Sequence, residues 1–88
     1  MTVQDVLNFI VENSESAKKQ NLPRDEINVW GTVWNRVIYN NNIVALKHNI
    51  AVHLQKLKKV SYFPKERRLL FDAYKKVFDY INNGGETK

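Results

Sequence analysis

Cysteine is absent from this 88-residue chain, and glycine occurs only three times, as Gly31, Gly84 and Gly85. Without cysteine, disulfide bonds, cysteine-ligated zinc and thiol catalysis are all excluded. Glycines in these positions match neither a phosphate-cradling loop nor a dinucleotide-binding fingerprint. The two histidines, His48 and His53, are five residues apart, so on a helix they do not share the face that a metal pair needs. We therefore expect a protein that is not an enzyme and that uses no metal and no cofactor.

Long hydrophobic runs are missing as well. The uninterrupted apolar stretches are a few residues long, such as residues 9–11, whereas a transmembrane helix needs about 20 apolar residues. No basic leader precedes an apolar run near Met1, so the sequence lacks the pattern of a signal peptide. We expect no transmembrane segment and a cytoplasmic location.

Acidic residues are scarce in the second half of the chain. Residues 47–76 contain nine lysines and arginines but only two acids, Glu66 and Asp72, whereas residues 1–46 contain four basic and five acidic residues. The net charge of the whole chain is +5. Positive charge concentrated in one half is typical of a protein that meets an anionic partner.

Four segments show the apolar period of 3.6 residues that predicts amphipathic helices. Helices are expected near residues 3–19, 23–39, 43–59 and 64–81, with the first one ending at residue 12 if the polar stretch that follows breaks it. A capping pattern at Thr2, prolines at helix starts and asparagines or glycines at helix ends separate them. The sequence thus predicts an all-α, compact up-and-down bundle of four helices. A three-helix core with a frayed N-terminal arm is the alternative. We assign residues 1–83 to a single helical domain and residues 84–88 to a flexible tail.

The third predicted helix is apolar around most of its circumference. One arc holds Ile43, Leu46 and Ile50, and the remaining surface includes Val44 and Val52. Such a helix requires neighbours on several sides, so we expect it to be the central helix or to be covered by a second chain. The predicted core consists of Ile10, Trp30, Trp34, Leu46, Ile50, Leu54, Leu70, Tyr74 and Val77.

Basic and aromatic residues are interleaved around the junction of the third and fourth helices. Lysines and arginines can bind phosphates while an aromatic ring stacks on a base. Elsewhere in the fourth helix, acid–base pairs four residues apart (Arg68–Asp72, Asp72–Lys76 and Lys75–Asp79) are expected to neutralise part of the charge. The predicted nucleic-acid-binding residues are Lys56, Lys58, Lys59, Tyr62, Lys65, Arg67 and Arg68.

Two further interpretations remain open. The chain has the size and apolar surface of a small helical regulator, inhibitor or immunity-type protein that docks on a protein partner or forms a homodimer. In that case the interacting residues are Val44, Ala45, His48 and Val52. The other interpretation is association with an acidic membrane surface. Eleven asparagines with abundant lysine, isoleucine and tyrosine indicate an AT-rich source such as a phage, a plasmid or a low-GC host.

Overall fold

The computed structural model describes residues 1–58 and 65–84, without the side chain of Glu66. These residues form four helices: α1 (Val3–Lys19), α2 (Arg24–Val37), α3 (Ile43–Lys58) and α4 (Lys65–Asn82). No strand occurs in the described ranges. The prediction of an all-α, four-helix protein is confirmed. None of these four helices is both long and apolar enough to span a membrane.

The helices begin where the sequence places its capping residues. Thr2 and Asp5 form a complete capping box at the start of α1, because each side chain accepts a hydrogen bond from the other residue's backbone N–H. The Asn42 side chain accepts a hydrogen bond from the backbone N–H of Ala45, 2.8 Å away, at the start of α3. Pro23 directly precedes α2, where its fixed φ and missing donor are compatible with a helix start.

Helix α1 continues without a break from Val3 to Lys19. The polar stretch after Glu12 therefore does not end it, and the alternative of a frayed N-terminal arm is wrong. After the helix, Asn21 adopts a positive φ of 53°, a conformation that asparagine tolerates better than most residues. At the other end of the chain, α4 is followed by Gly84, whose φ of 66° is typical of a residue that terminates a helix.

The core is built from residues of all four helices. Six of the nine predicted core residues are buried, while Leu54 and Leu70 are half-buried and pack against the core. Val6 and Phe9 of α1 add a contribution that the predicted core did not include. The buried cluster comprises Val6, Phe9, Ile10, Trp30, Val33, Val37, Leu46, Ile50, Ala73, Tyr74 and Val77.

Trp34 is the exception among the predicted core residues, since 36% of its surface is exposed. The buried face of α2 contains Trp30, Val33 and Val37. At about 100° per residue, Trp34 lies at the edge of that face. Of the two tryptophans, only Trp30 is a core residue, and the ammonium of Lys76 lies 5.8 Å from the centre of its ring.

The central helix is α4 and not α3. Helices α1 and α2 pack on each other, and α4 contacts both of them as well as α3. Helix α3 packs mainly on α4 and has few contacts with α1 or α2. Its buried residues, Leu46 and Ile50, lie on one side, whereas Val44 on the other side is 75% exposed. The prediction that α3 is enclosed by the other helices is therefore wrong.

Candidate functional site

The predicted basic residues lie at one end of the α3–α4 pair. Lys56 and Lys58 belong to the last turn of α3, and three more belong to the first turns of α4. All five side chains are exposed. Lys59 and Tyr62, which complete the predicted site, lie outside the described residues. The residues brought to this end of the molecule are Lys56, Lys58, Lys65, Arg67 and Arg68.

A groove joins the two helices at this end. It has a volume of about 270 Å³ and is lined by Lys58 from α3 and by Arg68, Phe71 and Asp72 from α4. The two cations are ten residues apart in sequence, and the packing of α3 against α4 places both on one surface. Among the described residues, the groove thus contains two positive charges and one carboxylate.

The charges of α4 are paired less than the sequence predicts. Lys75 and Asp79 form an exposed ion pair with a distance of 3.4 Å between Nζ and Oδ2, which confirms one of the three predicted pairs. Neither Arg68 nor Lys76 forms an ion pair with Asp72 within the described residues. The cations that line the groove therefore remain available to an anionic ligand.

Helix α3 contributes positive charge without any acid. Its sequence contains Lys47, Lys56 and Lys58, and no aspartate or glutamate. All three lysines are exposed. Because α3 contains no aspartate or glutamate, no acidic side chain of this helix offsets their charge. This surface therefore has the charge expected of a phosphate-binding surface.

The residues of the protein-docking alternative lie on the outward face of the same helix. Val44, His48 and Val52 are four residues apart and thus share one side of α3. Val44 is 75% exposed, His48 is exposed and Val52 is 37% exposed, whereas Ala45 is half-buried. Because this patch faces away from α4, it is an external surface and not part of the bundle interior.

A second cleft, which the sequence analysis did not identify, lies where the end of α2 meets α3 and α4. It has a volume of about 220 Å³. The side chain of Asn40 connects its edges, because it accepts a hydrogen bond from the Asn49 amide and donates to the backbone carbonyl oxygens of Arg36 and Val37. The lining residues are Arg36, Val37, Tyr39, Asn40, Leu46, Asn49, Ile50, His53 and Tyr74.

Two stacked rings form part of the wall of this second cleft. The rings of His53 and Tyr74 are nearly parallel, at 5°, with their centres 5.4 Å apart. Burial lowers the pKa of His53, and the positive charges of Arg36 and Lys56 lower it further. Burial also raises the pKa of Tyr74, an effect that Arg36 partly opposes. Both rings are therefore predominantly neutral at pH 7.

Comparisons of the chain with protein-family models, with curated proteins and with solved structures found no match. In the described part of the chain, no three histidine, aspartate or glutamate side chains are grouped so that they could hold a metal ion. The functional interpretation consequently depends on the surfaces of this molecule alone.

Proposed function

We propose that this protein is a nucleic-acid-binding domain whose binding surface is the end of the α3–α4 pair. The observation that supports it is the groove in which Lys58 of α3 and Arg68 of α4 lie together. Lys56, Lys65 and Arg67 add exposed positive charge at the same end of the α3–α4 pair. Cations held on two packed helices have a fixed spacing, so they can contact successive phosphates at a lower entropic cost than cations on a disordered tail.

The chemistry of the surface favours contacts with the backbone over sequence-specific contacts with bases. Lysine and arginine bind phosphate oxygens, and the five described cations of the site supply such donors. Their binding releases condensed counterions, which makes the affinity strongly dependent on salt. We therefore expect binding with a weak sequence preference.

The carboxylate of Asp72 in the groove should weaken nucleic-acid binding, because it repels the negative charge of a phosphate. Replacing Asp72 by asparagine should strengthen nucleic-acid binding about threefold at low salt, since two like charges about 7 Å apart in water repel each other by about 0.6 kcal/mol. The control is Glu12→Gln, which makes the same change in net charge on the exposed surface of α1. Fluorescence anisotropy with a labelled oligonucleotide measures both affinities. Equal affinities for the two variants would show that the groove is not the binding surface.

The proposal is tested by titrating labelled duplex and single-stranded oligonucleotides with the full chain at several salt concentrations. The dissociation constant should rise steeply with salt. The slope of log affinity against log salt should be about −0.9 for each phosphate contact on duplex and about −0.7 on a single strand. Absence of binding at low salt to both oligonucleotides would rule out the proposed function.

The exposed valines of α3 favour protein docking as a second candidate function. Val44 is 75% exposed and can contribute apolar contact area, and apolar contacts in a protein interface depend little on salt. In this alternative the protein is a small regulator, inhibitor or immunity-type protein.

The variant Val52→Glu separates the two candidates. Because Val52 is on the outside of α3, we expect this variant to fold like the parent and to keep its affinity for nucleic acid within a few-fold. Circular dichroism measures folding, anisotropy measures binding, and sedimentation velocity measures the mass in solution. If Val52→Glu halves the mass of a parent dimer, the valine face of α3 is instead a protein interface.

A further inference from the structure

A histidine lies at the junction of α2, α3 and α4, beside the proposed nucleic-acid-binding surface. His53 is half-buried in the wall of the second cleft, and it precedes Lys56 by three residues on α3. Side chains three residues apart on a helix are neighbours, with Cβ atoms about 5–6 Å apart. His53 is therefore one helical turn away from a cation of the proposed surface.

Packing between two helices holds the His53 ring in this position. The ring is stacked on that of Tyr74 from α4, with the ring centres 5.4 Å apart and an angle of 5° between the planes. Tyr74 is only 2% exposed and belongs to the core, so the ring on which His53 rests is itself fixed. The imidazole cannot move far from Lys56 without losing this contact.

The charged groups around the His53 ring are cations. Arg36 of α2 lines the same cleft, and no aspartate or glutamate is among the described residues that line it. The other titratable groups that face the ring are the phenols of Tyr39, after α2, and of Tyr74, which carry no charge near pH 7. Burial, together with the positive charges of Arg36 and Lys56, lowers the pKa of His53. A proton on His53 would thus add a further positive charge to a junction that is already positive.

We propose that nucleic-acid binding at this surface is coupled to the uptake of a proton by His53, so that binding tightens as the pH falls below about 7. This coupling rests on the proposed function. A phosphate on Lys56 neutralises one of the cations that oppose an imidazolium, and it brings a negative charge close to the ring. One helical turn is shorter than the Debye length of about 8 Å at physiological ionic strength, so salt screens this attraction only in part. The pKa of His53 should consequently be higher in the complex than in the free protein.

The pH dependence of the affinity has a defined sign. At high pH His53 is neutral in both states, and the affinity does not change with pH. As the pH falls, the complex takes up the proton before the free protein does, so the affinity rises until both states are protonated. Since the pKa of His53 in the free protein lies below its ordinary value of 6.5, the rise should occur between about pH 7.5 and about pH 5, where carboxylates remain largely ionised.

Fluorescence anisotropy with the full chain and a labelled duplex, at constant low salt between pH 5.5 and 7.5, tests the coupling. The parent should bind about threefold more tightly at the lower pH, the effect of two opposite charges about 7 Å apart in water. His53→Gln, which cannot titrate, should bind almost equally at both pH values. The matched control is His48→Gln, five residues earlier on the outward face of the same helix, and it should keep the pH dependence of the parent.

NMR titration of the histidine ring protons in the parent measures the coupling without any substitution. Adding the duplex should raise the midpoint of the His53 titration more than that of His48. The coupling is overturned if the duplex binds but leaves the His53 midpoint unchanged, or if a folded His53→Gln variant retains the pH dependence. Absence of duplex binding at every pH would overturn the proposed function itself, and the coupling with it.

Discussion

Reversing the charge of Lys58 and Arg68 together, as Lys58→Glu with Arg68→Glu, should abolish nucleic-acid binding at moderate salt. Both side chains line the groove between α3 and α4, and both are exposed, so the fold should not depend on them. Each reversal removes a phosphate contact and adds a repulsive charge. At low salt, where residual binding is measurable on duplex, the slope of log affinity against log salt should fall in magnitude by about 1.8, which corresponds to two lost contacts.

The control for this variant changes the net charge equally in another place. Arg36→Glu with Lys47→Glu reverses two exposed cations beside the start of α3, and Lys47 lies eleven residues along that helix from Lys58. If binding were a response to net charge alone, both double variants would lose it to the same extent. We expect the control to retain most of its affinity and its salt slope. Equal loss in the two variants would contradict a localised binding surface.

Replacing Leu46 by alanine should lower the free energy of unfolding by about 2–5 kcal/mol. Leu46 is only 1% exposed and belongs to the buried cluster that α3 shares with α4. The substitution removes apolar contacts and leaves a cavity in a small core. For a domain whose total stability is typically about 5–15 kcal/mol, this is a large fraction. Urea denaturation followed by circular dichroism measures the change.

Val44 supplies the comparison, because it lies two residues earlier in the same helix. Two residues correspond to about 200° of rotation, so the two side chains point in nearly opposite directions. Val44→Ala should therefore change the free energy of unfolding by less than about 0.5 kcal/mol. Leu54→Ala, at a half-buried position, should fall between the two. A loss at Val44 equal to that at Leu46 would mean that α3 is covered on both sides.

The helices could be predicted because local chemistry determines where they begin and end. Thr2 accepts the hydrogen bond from the backbone of Asp5, and Asn42 does the same for Ala45. These contacts join residues three apart in the chain, so the sequence shows them directly. The positive φ of Gly84 follows equally from a local pattern. Accordingly, the six predicted bounds that fall on described residues lie within two residues of the observed ones. Residues 59 and 64, the predicted end of the third helix and start of the fourth, lie outside the described residues.

The arrangement of the helices could not be predicted in the same way. The apolar circumference of α3 suggested a central helix, yet Val44 and Val52 face outward and α4 has the central position. Valine and alanine are common on exposed helix surfaces, because apolar atoms make up much of any protein surface. The pattern of one helix therefore shows which residues can be buried, and the partner helices determine which ones are.

The candidate sites show the same limit. The sequence predicted Lys58 and Arg68 as binding residues, because they belong to one run of basic residues, but their common groove depends on how α3 packs against α4. The second cleft combines Arg36, His53 and Tyr74 from three helices. No spacing in the sequence connects these residues. The sequence places His53 three residues after Ile50, beside the apolar arc of α3, and this position is the signal that could have indicated the cleft.

The most direct test of the proposed function is to map the binding surface by NMR spectroscopy of the isotope-labelled full chain with a short duplex at low salt. We expect the largest changes in amide resonances at Lys56, Lys58, Arg67 and Arg68. Small changes are expected for the first turns of α1 and for the last turns of α2, which lie beside the far end of α4 and the start of α3. Changes confined to the outward face of α3 around Val44 and Val52, or the absence of any change, would contradict the proposed function.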